Sequence, residues 1–210
     1  MLNLLPDKIC FMNTGWVQPA AASAIGRQAG YEYQLIVRPG AAVAAQVLAE
    51  KQLFAVQFGH KGTTGAPHIV VASFTAREEM EETIIRWMHR ITSVLPGFAV
   101  TLNNYSSLPP HTIYLRVQDP LPFAQLAAQL KAVSGYIESC ACAPVQFTAK
   151  PHLNIAGQLT GEVYEKAIPV YSRQTFHETF EVTELVLLRR RNQFEEGREI
   201  NVFRLLPAEQ

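Results

Sequence analysis

The sequence carries little charge, few cysteines and no long apolar segment. Only 17% of its 210 residues are charged, and 18 Lys and Arg balance 18 Asp and Glu. Zero net charge argues against a protein that grips a long nucleic-acid duplex, because such binding needs many uncompensated phosphate contacts. Recognition of a nucleotide or an RNA end stays open. The 48% hydrophobic content is enough for a folded core.

The three cysteines do not indicate a disulfide framework or a metal site. Cys140 and Cys142 are too close in sequence for a relaxed bridge, and no second cysteine pair or nearby histidine completes a zinc site with them. Cys10 leaves the count odd. No apolar run reaches the roughly 18 residues that span a bilayer. We therefore expect a reduced, cytoplasmic protein with no membrane partner.

Residues 1–30 are a poorly specified N-terminal extension, and regular patterns begin after Gly30. Alternating and β-branched segments predict strands, and apolar residues at helical spacing predict helices. The predicted strands are 31–38, 67–74, 97–105, 111–117, 151–156, 180–188 and 200–206. The predicted helices are 41–58, 77–95, 122–137 and 161–171. This mixture predicts an α+β fold.

Two matches within the sequence indicate an internal duplication. Pro67-His68 precedes Pro151-His152 by 84 positions, and Phe98–Thr101 precedes Phe180–Thr183 by 82. We expect two β-α-β-α-β units that form a pseudo-two-fold pair of antiparallel sheets around a central groove, with helices outside. They would form a single domain over 31–207, with lobes at about 31–110 and 111–207. One strand of either lobe could belong to the sheet of the other.

The repeated histidines are the candidate catalytic residues. Alternate side chains of a strand share a face, so His68 points with Val70 and His152 points with Asn154. Two histidines at equivalent places in a duplicated unit would face each other across the groove. One neutral imidazole could accept a proton while the other donates one, since the ordinary histidine pKa lies near 6.5.

The segments His68-Ile-Val-Val71 and His152-Leu-Asn-Ile155 resemble the His-x-Thr/Ser-x signature of the two-histidine (2H) phosphoesterases. The chain is similar to their bacterial branch, the 2'-5' RNA ligase family, over about 31–207. The resemblance implies a hydrolase or ligase that needs no metal or cofactor. It would act as a cyclic phosphodiesterase on 2',3'-cyclic phosphates or as an RNA 2'-5' ligase on 2'-5' linked termini. His68 and His152 would be its base and acid.

Both hydroxyl positions of that signature are changed. Val70 cannot donate a hydrogen bond, whereas Asn154 can donate one through its amide to a phosphate. Losing one preorganised donor commonly costs about 10²–10³ in rate. The alternative interpretation is therefore a catalytically degenerate protein that binds a nucleotide or an RNA end.

Two further residues are candidates for substrate binding. Lys61, in the Gly-rich loop before His68, could close over an anion, but the favoured interpretation of the loop is a mobile connector. Tyr171 lies where an aromatic ring could stack on a base, with core packing as the alternative. The expected partners are a small cyclic phosphate, a nucleotide or an RNA terminus. A metal-dependent hydrolase ranks lower, because no carboxylate adjoins either histidine.

Overall fold

Nine strands and five helices make up the part of the chain that the computed structural model describes, residues 30–60, 65–192, 195 and 197–208. The strands are β1 (Tyr31–Val37), β2 (Ile69–Ala76), β3 (Phe98–Leu108), β4 (Thr112–Val117), β5 (Gln146–Phe147), β6 (His152–Ala156), β7 (His177–Val182), β8 (Glu184–Arg190) and β9 (Arg198–Arg204). The helices are α1 (Ala41–Phe58), α2 (Glu81–Thr92), α3 (Leu121–Gln129), α4 (Lys131–Ser139) and α5 (Gly161–Tyr171). Lys61 and almost all of the predicted extension 1–30 lie outside the described residues.

The strands form one antiparallel sheet whose order is symmetric about its centre. The order is β7-β3-β4-β6-β2-β1-β8-β9, with β5 paired to β2. The sheet thus has two four-stranded arms that meet where β6 pairs with β2. Rotation about this seam exchanges β2 with β6, β1 with β4, and β3 with β8. The duplicated α+β architecture predicted from the repeat is therefore confirmed.

The helices cover one face of the sheet, and the core lies between them and the strands. Helix α1 packs on β6 and β7 and against α5, whereas α2 packs on β9 and α3 packs on β2. The strand side chains on this face are fully buried, as Leu35, Ile69, Leu115 and Leu153 show at 0% exposure. The opposite face, which we call the groove face, carries the alternate residues of each strand. No helix of the described residues is long and apolar enough to cross a membrane.

The single strand predicted at 180–188 is wrong, because this segment is two strands in opposite arms. Strand β7 pairs with β3, whereas β8 pairs with β1. The burial pattern changes phase between them: Phe180 and Val182 are buried, but the next buried residue is Leu185. A continuous strand keeps a period of two, so the chain turns at Thr183 and crosses to the other arm.

Two predicted helices also differ in detail. The helix expected over 122–137 is divided into α3 and α4, which meet at Leu130. The helix expected over 77–95 begins as a 3-10 turn, Glu78–Met80, and continues as α2.

The 82-position match between Phe98–Thr101 and Phe180–Thr183 reflects strand pairing. The two segments lie side by side in β3 and β7, with Phe98 opposite Val182. The strand that the pseudo-two-fold rotation relates to β3 is β8.

Candidate active site

The two candidate catalytic histidines meet at the seam of the sheet. Strands β2 and β6 share one ladder pair, Ile69 opposite Leu153. Continuing this antiparallel register by one residue sets His68 opposite Asn154 and His152 opposite Val70. All four lie on the groove face, because Ile69 and Leu153 point into the core. The histidines are then diagonal neighbours, whose Cβ atoms typically lie about 7–8 Å apart.

Each histidine makes the same hydrogen bond to the backbone. Nδ1 of His68 lies 2.9 Å from the carbonyl oxygen of Ala66, and Nδ1 of His152 lies 2.8 Å from that of Lys150. A carbonyl only accepts, so Nδ1 carries the proton in both rings and Nε2 of the neutral ring has a free lone pair. The intervening residue is proline in both copies, which fixes its φ and so orients the carbonyl.

A β-bulge follows each histidine at an equivalent position. The register between β1 and β2 shifts between Leu35 and Ile36, which inserts Val71 as an extra residue in β2. The register between β4 and β6 shifts in the same way at the equivalent place, which inserts Ile155 in β6. Bulges bend strands and redirect side chains, and they are frequent beside active sites. The duplication is therefore preserved in the local backbone of the site.

The surroundings of His68 favour its neutral form. Burial lowers the pKa of His68, and the positive charges of Lys51, Arg38 and Arg190 lower it further, although the Ala66 carbonyl acts in the opposite direction. A lowered pKa leaves Nε2 unprotonated at neutral pH, as a general base requires.

The surroundings of His152 are different. The ring of Tyr114 lies 4.7 Å from the His152 ring, centroid to centroid, at an interplanar angle of 52°. Arg116 lies directly opposite His152 on β4. At the first histidine, the position equivalent to Tyr114 is Ile36, which pairs with Val70.

The two positions that replace the signature hydroxyls both face the groove. Val70 is half-buried and offers no polar group. Asn154 is half-buried, and its Oδ1 is shielded from solvent and has no hydrogen-bond partner among the described residues. Rotating the amide by 180° would put its NH₂ donor at the same place. A shielded amide oxygen without a partner is uncommon in proteins, so Asn154 is a candidate contact for a ligand.

Tyr171 lies away from the groove. It is 4% exposed and belongs to an aromatic cluster with Phe54, Phe58 and Tyr105 between α1, α5 and β3. Burial raises the pKa of the Tyr171 phenol far above its usual value, and the nearby Glu50 carboxylate adds to this rise. Its placement supports the packing alternative, so base stacking by Tyr171 stays a prediction. The predicted anion contact by Lys61 lies outside the described residues.

Sequence reasoning missed three cations near the histidines. Continuing the β1–β2 register by one residue beyond Val37 sets Arg38 opposite His68. Arg116 lies opposite His152 in the same way. Lys51 projects from α1, and its Nζ lies 3.5 Å from the carbonyl oxygen of Gly65. Although the whole chain is neutral, the described part of the groove is locally positive around the two imidazoles. No local sequence signal marks the two arginines, because only the strand register places them beside the histidines.

A polar cleft extends the groove face away from His68 along β1 and β2. Its volume is about 140 Å³. Polar side chains line it, among them Glu32, Gln34, Ser73, Gln146 and Arg190. Ser73 is five residues beyond His68, or about 16 Å along an extended strand. Elsewhere in the described ranges, no three His, Cys, Asp or Glu side chains are grouped so that they could hold a metal ion.

Comparison with known proteins gives one family and one fold. The family described as the 2'-5' RNA ligase superfamily matches residues 41–194. Escherichia coli LigT complexed with phosphate is similar in structure, with a TM-score of 0.58 at 15% identity over 84% of this chain and 98% of LigT. TT0787 of Thermus thermophilus has a TM-score of 0.64 at 16% identity over 85% of this chain and 100% of TT0787. None of the curated protein sequences matches the chain significantly.

Proposed function

Because the chain belongs to the 2'-5' RNA ligase superfamily, we propose that it is a metal-independent phosphoesterase whose two histidines act as base and acid. The substrate is a 2',3'-cyclic phosphate or a 2'-5' linkage at a nucleotide or RNA terminus. The observation that carries this proposal is the mirrored pair of imidazoles. Each ring donates from Nδ1 to the carbonyl two residues earlier, which leaves Nε2 available on the groove face.

In this proposal the roles follow from the different surroundings of the two rings. His68, whose pKa is lowered, takes a proton from the attacking water through Nε2. The water oxygen bonds to phosphorus as the bond from phosphorus to one ribose oxygen breaks. His152 donates its Nε2 proton to that leaving oxygen, so that a cyclic phosphate becomes a monoester. With a ribose hydroxyl in place of water as the attacking group, the same pair serves ligation, and the reverse of that step cleaves a 2'-5' linkage to a cyclic phosphate.

The polar side chains of the groove support a nucleotide ligand. The cleft along β1 and β2 offers amide and hydroxyl groups to a base or ribose. In structures of E. coli LigT, the ligands include phosphate, NADP+, 3'-AMP and ATP. Small nucleotides are therefore the first compounds to test.

The test is hydrolysis of nucleoside 2',3'-cyclic phosphates, and ligation of 2'-5' ends, in the presence of EDTA. We expect turnover to persist with the chelator. Replacing either histidine, as His68→Ala or His152→Ala, should lower kcat by about 10²–10⁴, the usual contribution of acid–base catalysis. The matched control is His89→Ala on α2, an exposed histidine that contacts Phe203 on the other side of the sheet.

The assigned roles are overturned if both histidine variants keep full activity, and the metal-independent reaction is overturned if EDTA abolishes turnover. A loss of activity in His89→Ala equal to that in the two groove variants would indicate a folding effect. Thermal denaturation of all three variants separates that case from a catalytic one.

One observation favours a second candidate function, a nucleotide or RNA-end binding protein without turnover. Val70 leaves one signature position with no donor for the phosphoryl oxygens. This candidate predicts measurable nucleotide binding, no turnover by the natural chain, and turnover by the Val70→Thr, Asn154→Thr double variant. A natural chain that hydrolyses cyclic phosphates efficiently would exclude it.

A further inference from the structure

A phosphoryl group between the two imidazoles needs more donors than the one amide, Asn154, that the signature positions supply. The hydroxyl expected after the first histidine is replaced by Val70, and the one after the second is replaced by Asn154. A phosphate diester or monoester carries its negative charge on oxygens that accept several hydrogen bonds, and charged donors bind such oxygens best. The groove face must therefore supply these donors from other positions.

An arginine lies on the neighbouring strand beside each histidine. The pairs Ile36–Val70 and Val37–Ile69 fix the register that sets Arg38 opposite His68. In the other half, Arg116 pairs directly with His152. Side chains in opposed positions of an antiparallel pair have Cβ atoms about 4.5–5.5 Å apart. Each arginine side chain therefore starts beside a histidine, and the charge of Arg38 is close enough to lower the pKa of His68.

Among the described residues, the hydrogen bonds of Arg38 leave its two-donor edge without a partner. Nη1 of Arg38 binds the Glu199 carboxylate at 2.8 Å. Nε is shielded from solvent and has no acceptor in the described part of the chain. Nε and Nη2 form the edge of a guanidinium that binds two oxygens of one phosphate or carboxylate. The side chain is thus held at one end, and the edge suited to a phosphate lacks a partner.

Arg116 is held in the opposite way. Its Nε donates to the carbonyl oxygen of Asn103 at 3.2 Å, and its side chain is exposed. Among the described residues it makes no ion pair, so both of its terminal nitrogens are available to a ligand. Arg190, the other arginine near His68, is instead paired with Glu32 at 2.8 Å.

We propose that Arg38 and Arg116 bind the substrate phosphoryl group in this chain, in place of the hydroxyl donors that the two signature positions lack. This inference rests on the proposed function for the location of the substrate. It assigns the binding of the phosphoryl group to the strands next to the motif strands, and it specifies a ligand with at least one anionic phosphoryl group.

The experiment measures binding of inorganic phosphate to the full chain, so that it does not depend on turnover. Phosphate is titrated while the Hε1 and Nε2 resonances of the two histidines are followed by NMR. We expect Arg38→Met and Arg116→Met each to weaken binding about 10–100-fold, as the loss of a charged hydrogen bond predicts. Arg38→Lys keeps the charge but loses the two-donor edge, so it should recover only part of the affinity.

Glu199→Gln provides a test in the opposite direction. Releasing Arg38 from its ion pair should strengthen phosphate binding about two- to fivefold, the equilibrium factor expected for an exposed pair. A folding defect cannot produce tighter binding. The control is Arg90→Met, which removes an exposed arginine from α2 without changing the groove.

The outcomes separate this inference from the proposed function. Phosphate binding that depends on both arginines, in a chain that does not turn over cyclic phosphates, supports the inference and contradicts the proposed activity. Unchanged phosphate affinity in Arg38→Met and Arg116→Met overturns the inference even if the chain is an active enzyme. A natural chain whose histidine resonances do not respond to a roughly 100-fold molar excess of phosphate also overturns it.

Discussion

The His68 half and the His152 half of the groove share a backbone but differ in their side chains. In both halves a proline precedes the histidine, Nδ1 donates to the carbonyl two residues earlier, and a bulge follows the motif. Beyond this frame, His68 has Val70 and Ile36 beside it, whereas His152 has Tyr114 and a neighbouring amide.

This difference indicates how a duplicated site acquires two roles. The shared frame fixes which nitrogen of each ring faces the groove, so either histidine can exchange a proton there. The side chains then decide the direction of transfer. Burial and nearby cations lower the pKa of His68, which suits a base. The donor-bearing side chain, Asn154, is two residues from His152 on β6 and lies opposite His68 across the seam, so it faces a group held between the two rings.

The largest effect should come from exchanging the donors of the two halves. Asn154→Ala removes the one donor at the signature positions, so kcat/KM should fall by about 10² or more. Val70→Thr adds a hydroxyl to the other half and should raise kcat/KM by about tenfold, part of the same factor. Steady-state kinetics on a 2',3'-cyclic phosphate measures both.

The matched controls for this exchange are Asn154→Thr, which keeps a donor, and Val70→Ile, which adds none. Equal rates for Asn154→Ala and Asn154→Thr would show that the side chain at this position does not bind the reacting group. A gain from Val70→Ile as large as that from Val70→Thr would show that the added hydroxyl is not the cause.

A smaller effect is expected from removing Lys51, the cation whose charge lowers the pKa of His68 most. The pKa of His68 is lowered first by burial and then by the charge of Lys51. Lys51→Met should therefore raise the pKa of His68. Because the base must be unprotonated, the acidic limb of the kcat/KM profile should move to higher pH. An NMR titration of the histidine Hε1 resonances, together with the pH profile, measures this change.

The same pKa determines a stability trend. Since the folded state lowers the pKa of His68 below the unfolded value near 6.5, the unfolded chain binds more protons as the pH falls below that value. His68 therefore lowers the free energy of unfolding at acidic pH, and Lys51→Met should reduce this loss. Lys131→Met, at an exposed position of α4, is the control. An identical acidic limb of the kcat/KM profile in the two lysine variants would contradict the assignment of His68 as the base.

The sequence was sufficient to place the two histidines, because their positions depend on local features. The repeated Pro-His pairs and the period-two alternation of β2 and β6 assign both rings to one strand face without any knowledge of tertiary contacts. The division of 180–188 into two strands was also visible in principle, as the apolar phase changes between Val182 and Leu185.

The arginines were out of reach of that reasoning, since they belong to the site only through register. Setting Arg38 opposite His68 requires the pairing of β1 with β2 and the bulge that shifts it, and neither follows from composition or alternation. Lys51 depends on how α1 packs over the seam. Tyr171 shows the converse, because an aromatic residue that the sequence offered for base stacking is buried in the core.

The smallest effect should come from replacing Tyr114, which lies beside the His152 ring, by the residue type found at the equivalent position of the His68 half. Tyr114 packs 4.7 Å from His152, and its equivalent beside the first motif is Ile36. Tyr114→Ile should lower kcat about two- to fivefold with little change in KM, because an aromatic contact of about 0.5–1 kcal/mol no longer orients the imidazole. Tyr136→Ile, a half-buried tyrosine of α4, is the control. Unchanged kcat in Tyr114→Ile would mean that the backbone hydrogen bond alone orients His152, and the two halves would then differ only in their donors and cations.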